Sequence, residues 1–379
     1  MEAIETKEVI ASEAADLAAA NGNAANAKAS HAKAMRPGPL FVVGMWRSGT
    51  SLLYALLNQH PEIGLMYESD LALLGPLFFI PRKTAWWASK VDSWNQALTR
   101  HKIDVSAIPE NITDLPSAFR AVAEQYAQKK GATIWGCKSP SYYDCMNMLA
   151  DYYPEARFIV IWRDPADVLR SIIRASRKAS WFARPGTHLR ALLGYRRMKQ
   201  EADQLERRGA SIYQLHYDEL VRDPKATLTA ICDFVGVPFD PRMASLEGAD
   251  RSAVYSGEHH SGVKSSAIKA QGQRPEVLSA ELKAKIDRYV VYWRRQSKGQ
   301  WPVHAVVPDG VPAASLLERT TDRIRHRAVR LRDEIVPFFY TFVPVSVWQK
   351  YRQAKSRHHQ SAMKSDTGKP VGSLPTGNI

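Results

Sequence analysis

The chain has 379 residues, 45% of them hydrophobic, enough for one large α/β domain or two small ones. It carries 52 Lys and Arg against 38 Asp and Glu, and the net charge of +14 asks for an anionic partner: nucleic acid, an anionic cofactor or an acidic membrane surface. No run approaches the roughly 20 apolar residues that cross a bilayer, and three cysteines (Cys137, Cys145, Cys232) with no zinc-ligand spacing exclude a disulfide framework and point to a reducing compartment.

Residues 1–36 are rich in Ala, Asn and charge and lack the apolar core of a signal peptide, so they read as a flexible tail or a loose Ala-rich helix. Leu40–Val43 is a short apolar run, followed by two glycines and hydroxyl residues, then "SLLYALLNQH" and Pro61: strand, tight loop, helix. Between Gly75 and Pro116 the pattern is irregular and rich in tryptophan (Trp86, Trp87, Trp94), as expected of aromatic core or of a lid over a substrate. "TIWGCKSP" predicts a second strand ending in a loop, and Phe158–Trp162 a third that is buried on both faces. "ADVLRSIIRAS" continues as a helix with Asp164 as N-cap and Pro165 as first residue. "SIYQLHYDELVRDP" repeats the scheme, its helix closing at Gly236, and a helix over Ser279–Gln296 ends the domain. Strands alternating with helices predict a three-layer α/β fold with a central parallel sheet flanked by helices. The expected organisation is a tail (1–36), a domain (37–300) and a basic, aromatic C-terminal extension (301–379).

The loop "GMWRSGTS" almost matches a phosphate-binding P-loop. Gly44 and Gly49 keep the spacing, but Thr50 stands where such loops carry lysine. Backbone amides and a helix N-terminus still make an anion site, and Arg47 supplies positive charge inside the loop. A nucleoside triphosphate normally needs the lysine and magnesium as well. A phosphosulfate carries less charge, so amides with one or two cations suffice for it. Arg163, at a predicted strand end, and Ser171, two turns into the next helix, could clamp one phosphate in the crevice of the sheet. Taken singly, Arg163 reads equally as a salt-bridged cap.

"RSGTSLL" after one strand and "RDPADVLRS" after another resemble the two cofactor signatures of sulfotransferases that use 3′-phosphoadenosine 5′-phosphosulfate (PAPS). "YDELVRDP", from Tyr217, is similar to a third segment of that family near the adenine, and the resemblance spans about Pro39 to Trp293. It implies a P-loop-like fold, PAPS as cofactor without a metal, and a hydroxyl acceptor. By resemblance, Arg47, Ser48, Gly49, Thr50 and Ser51 hold the phosphosulfate, with Arg47 on the leaving group, and Arg163 and Ser171 hold the 3′-phosphate. "HPEIGLMYESDL" resembles the branch, including protein-tyrosine and heparan-type enzymes, that places a glutamate base soon after the loop helix; Glu68 matches it. Lys138 matches a lysine near the sulfuryl group or acceptor. His60 does not match the histidine base of the branch acting on small phenols and steroids, and reads as a helix C-cap. Further 3′-phosphate contacts are expected from Lys264, then Lys269, with Ser265 and Ser266 as equals.

From Glu318 to Lys364 there are 11 Lys and Arg against 4 Asp and Glu. Ile324, Ala328, Leu331 and Ile335 share a helical face with arginines opposite, and the apolar stretch after Ile335 is interrupted by Pro337 and Pro344. Two readings stand: an anchor on anionic lipid, or a helix folded back on the domain with a basic outer face. The first makes a lipid or other amphiphilic acceptor attractive and puts a cytoplasmic protein at the inner membrane surface. Competing functions are a P-loop kinase or NTPase, and a basic binding protein, although no nucleic-acid-binding signature is evident.

Overall fold

The structure is a computed structural model; it describes residues 36–69, 96–104, 114–177, 186–250, 278–298 and 305–339, with short pieces at 182–184, 252–254, 268, 301–302 and within 343–350. The expectations for residues 1–35, for Trp86, Trp87 and Trp94, and for Lys264, Ser265, Ser266 and Lys269 lie outside the described residues.

Five parallel strands form one sheet in the order β2-β3-β1-β4-β5. They are β1 (Leu40–Gly44), β2 (Ile63–Tyr67), β3 (Ile134–Lys138), β4 (Arg157–Trp162) and β5 (Ser211–His216). The helices are α1 (Thr50–Leu57), α2 (Leu115–Lys129), α3 (Met146–Tyr152), α4 (Pro165–Ser176), α5 (Thr187–Arg207), α6 (Tyr217–Arg222), α7 (Pro224–Val235), α8 (Ala280–Gln296) and α9 (Leu316–Phe339). Two apolar clusters, one on each face of the sheet, complete three layers. Phe41, Trp135 and Phe158 point into one; Leu40, Ile134 and Ile159 point into the other. That arrangement explains why β1, β2 and β3 are buried at every position rather than alternately.

β2 was not among the strands expected from the sequence. "IGLMY" is short and carries Gly64, a poor strand residue alone. Tertiary packing decides it: a Cβ at Gly64 would lie 2.6 Å from the backbone of Ala127, so α2 can close on the sheet only over glycine. Local signals elsewhere behave as expected. Asp164 accepts from the amides of Ala166 (2.7 Å) and Asp167 (3.2 Å) to start α4, and α7 ends on left-handed Gly236. The helix α9 runs through Pro337 instead of breaking there. No helix among the described residues is long and apolar enough to cross a membrane.

The register brings five chain segments to one edge. Gly44 pairs with Ile161, Tyr67 with Lys138 and Trp162 with His216, so the C-terminal ends of all five strands open into the same crevice.

Candidate active site

The described residues of the expected cofactor and catalytic set, Arg47 to Ser51, Glu68, Lys138, Arg163, Ser171 and Tyr217, follow directly from a strand end at this edge or lie in the first turns of the helix beyond it. β1 leads into the turn Met45–Gly49, where the amide of Ser48 donates to the carbonyl of Met45 (3.0 Å). Arg47 (φ 67°) and Gly49 (φ 103°) adopt left-handed backbone, which folds the loop back over the N-terminus of α1. No side chain caps α1, so its first amides face the crevice with the loop's. Ser48 is fully buried, and its Oγ has no hydrogen-bond partner among the described residues. Thr50 opens α1 and is buried, while Ser51 is half-buried.

Around this loop the cationic side chains converge. The Nε of Arg47 donates to Ser171 Oγ at 3.0 Å, and Arg163 donates to the carbonyl of Arg47 at 2.9 Å. The Arg163 guanidinium lies 4.2 Å from the ring centre of Tyr217. That ring in turn presses on the loop: a Cβ at Gly49 would come within 2.4 Å of Tyr217 Cδ2. Arg47, Ser171, Arg163 and Tyr217 thus form one continuous cradle from three separate segments, those after β1, β4 and β5. Burial, then the nearby charge of Arg163, pulls the Arg47 guanidinium from its ordinary value to about 10. Arg174, one turn beyond Ser171 on α4, adds to this repulsion and was missed in the sequence reading; its i+3 spacing from Ser171 was the available signal. Burial raises the phenol of Tyr217 above its ordinary range, with Arg163 opposing. Like charges held this close favour an anion between them.

A second group adjoins the first through Ser51. Lys138, at the end of β3 and fully buried, forms an ion pair with Glu68 and donates to Ser51 Oγ at 3.1 Å. Its ammonium also sits 4.0 Å from the ring centre of Tyr67, whose hydroxyl bonds Ser51 Oγ at 2.8 Å. Glu68 keeps about a fifth of its side chain open to solvent (21%) and has left-handed backbone (φ 41°), which turns its carboxylate back towards Lys138. The turn is held from outside: Arg100 donates to the carbonyls of Tyr67 (3.3 Å) and Glu68 (3.4 Å), and the amide of Tyr67 donates to His101 Nε2 (3.2 Å). Nothing in the irregular segment around Arg100 marked these supports in sequence. His60 lies elsewhere: its Nδ1 accepts from the Glu62 amide (3.0 Å), which leaves Nε2 to donate to the carbonyl of Pro238 (2.9 Å). Among the described residues no three His, Cys, Asp or Glu side chains gather as a metal ion would require.

Fold and site together define a P-loop-like α/β protein with an anion cradle at the strand ends and an adjoining Lys–Glu pair. The chain belongs to the sulfotransferase family, whose model matches residues 39–241. It is 26% identical over 217 residues to protein-tyrosine sulfotransferase A of Caenorhabditis elegans, covering 55% of this chain and 52% of that one. It is 25% identical over 213 residues to protein-tyrosine sulfotransferase 1 of Danio rerio, covering 55% and 56%. The chain therefore spans about half the length of these curated relatives. Among solved structures, the sulfotransferase domain of the Synechococcus PCC 7002 olefin synthase aligns at a TM-score of 0.45 and 23% identity, over 69% of this chain and 96% of that one.

Proposed function

We propose that the protein transfers a sulfuryl group from PAPS to an acceptor hydroxyl, with Arg47, Glu68 and Lys138 as its catalytic side chains. The observation that carries this reading is the cradle: two guanidinium groups, Ser171 Oγ and an uncapped helix N-terminus close on one another beside the Ser48 hydroxyl, which has no partner among the described residues. A donor with phosphate at two ends of an adenosine fits that distribution. The amides of Ser48 to Ser51 suit the 5′ end; Arg163 and Ser171, with Arg174 nearby, suit the 3′ end; the Tyr217 ring between them suits the nucleoside.

The bound donor would supply an activated sulfuryl group whose departure leaves negative charge on a phosphate oxygen. Arg47 and the α1 amides face the place where that charge gathers, and burial strengthens their effect. Glu68 takes the proton of the acceptor hydroxyl through Oε2, since Oε1 is held by Lys138. Lys138, anchored by Ser51, sits between the base and the loop and holds both in register. Lys264 belongs to this proposal on the sequence resemblance alone.

The acceptor follows from chemistry rather than from a contact. We read it as a small hydroxylated amphiphile or lipid met at the cytoplasmic face of a membrane, a setting that suits three free thiols. A tyrosine phenol is the alternative that the relatives' names bring to this chain. A kinase reading is opposed by Thr50, which offers no ammonium to an outer phosphate. The test is thermal stabilisation by 3′-phosphoadenosine 5′-phosphate (PAP) against ADP, then labelled-sulfate transfer to a lipid extract and to tyrosine peptides. Stabilisation by ADP alone, with no transfer to either, would remove the proposal.

A further inference from the structure

The C-terminal helix α9 is turned the opposite way from an ordinary surface helix. Its charged side faces the domain: Arg288 on α8 grips Glu318 through two bonds (2.7 and 3.1 Å), and buried Asp322 accepts from Lys285 (2.7 Å) and from the Tyr289 hydroxyl (2.8 Å). The Arg319 guanidinium packs 4.1 Å from the centre of the Tyr292 ring. On the outer side, Leu317, Ile324 and Leu331 recur every seven residues and are 78%, 63% and 54% exposed. Arg323, Arg325 and Arg327, all exposed, border this stripe on both sides. Docking and apolar exposure, alternatives in the sequence, hold at once.

From this we infer that the outer face of α9 is a docking surface for an anionic lipid bilayer, with Leu317, Ile324 and Leu331 entering the acyl boundary and the arginines meeting headgroup phosphates. A buried polar face and an exposed apolar stripe are the reverse of what water as the only neighbour would select. Among possible occupants, charge decides. A second copy would bring the same arginines against one another, which like-charge repulsion opposes. Nucleic acid would satisfy the arginines but leave the aliphatic stripe in water. An anionic bilayer satisfies both. The helix also abuts the site's surroundings: a Cβ at Gly186 would lie 3.0 Å from Val329, and four residues earlier the Phe182 ring centre is 5.9 Å from the Arg47 guanidinium. Val329 lies on the side of α9 away from the apolar stripe, so a bilayer held on that stripe is about one helix diameter, roughly 10 Å, from the segment that flanks the catalytic loop.

Flotation of the full chain with phosphatidylcholine vesicles, with and without phosphatidylglycerol, tests this without any cofactor, so its outcome is separate from that of sulfuryl transfer. We expect flotation only with the anionic vesicles. Ile324→Ser with Leu331→Ser, both solvent-facing and so neutral to folding, should weaken it about tenfold or more. Arg323→Gln with Arg327→Gln should also weaken it, by about fivefold per charge. Equal behaviour with both vesicle types, or unchanged flotation of both double variants, overturns the inference. So does a dimer in sedimentation that the Ile324→Ser, Leu331→Ser variant abolishes.

Discussion

The Nε of Arg47 donates to Ser171 Oγ at 3.0 Å, joining the loop after β1 to the helix after β4 across 124 residues of chain. This one bond couples the two ends of the proposed donor site. The residue read as facing the leaving group and the residue read as facing the far phosphate hold each other.

Arg47→Ala should lower transfer about 10²- to 10³-fold, as loss of a donor aimed at developing charge does. Stabilisation by PAP should fall much less, because Arg163 and the loop amides remain. Ser171→Ala should reverse the balance, weakening PAP binding more than the rate at saturating donor. Rates at saturating PAPS, paired with thermal shifts by PAP, separate the two.

Glu68→Gln should lower transfer about 10²- to 10⁴-fold and also destabilise the fold, because it leaves the buried Lys138 ammonium without its carboxylate. Breaking a buried pair costs about 3–5 kcal/mol, and the partial exposure of Glu68 reduces this to about 1–3 kcal/mol. Adding Lys138→Met should restore much of the stability and none of the activity. Denaturant unfolding of the wild type and the two variants beside transfer assays checks this.

Gly49→Ala places a side chain where the backbone has φ 103° and the Tyr217 ring lies 2.4 Å away. Strain of about 1–3 kcal/mol is expected. Because relief requires the ring to move, PAP affinity should fall together with Tm, and calorimetric titration with PAP reads that displacement.

His101 gives the fold an acid limit. Burial lowers its imidazole from 6.5 to about 4, against the carbonyl of Tyr67, 3.2 Å from Nε2, which raises it. Between these values the unfolded chain holds the extra proton and the folded one does not, so stability is lost as the pH falls through that window and is fully present above it. The separation corresponds to roughly 3 kcal/mol at its full extent. His101→Gln should flatten the acid limb in urea unfolding between about pH 7 and about pH 4. A variant with the wild-type slope would show that other groups set it.

What the sequence alone carried was local. The loop Met45–Gly49, the Asp164–Pro165 cap and the place of Tyr217 after a strand depend on backbone conformations that a few neighbouring residues dictate. Placing Arg47, Lys138, Arg163 and Ser171 in one crevice needed only the rule that parallel α/β sheets open at the carboxyl ends of their strands, whereas Glu68, after the unexpected strand β2, rested on the family resemblance alone. Tertiary structure decided what no window of residues contains. The strand at Gly64 is set by its pairing with β3, about 70 residues later in the chain, and its glycine lets α2 close over it. Arg100 and His101 support Glu68 through backbone groups, which leave no mark in side-chain pattern. For α9, periodicity marked an apolar face and a charged face, but which of them meets the domain depends on Lys285, Arg288 and Tyr289, more than 25 residues earlier. Amphipathicity is a property of one helix; its orientation belongs to the pair.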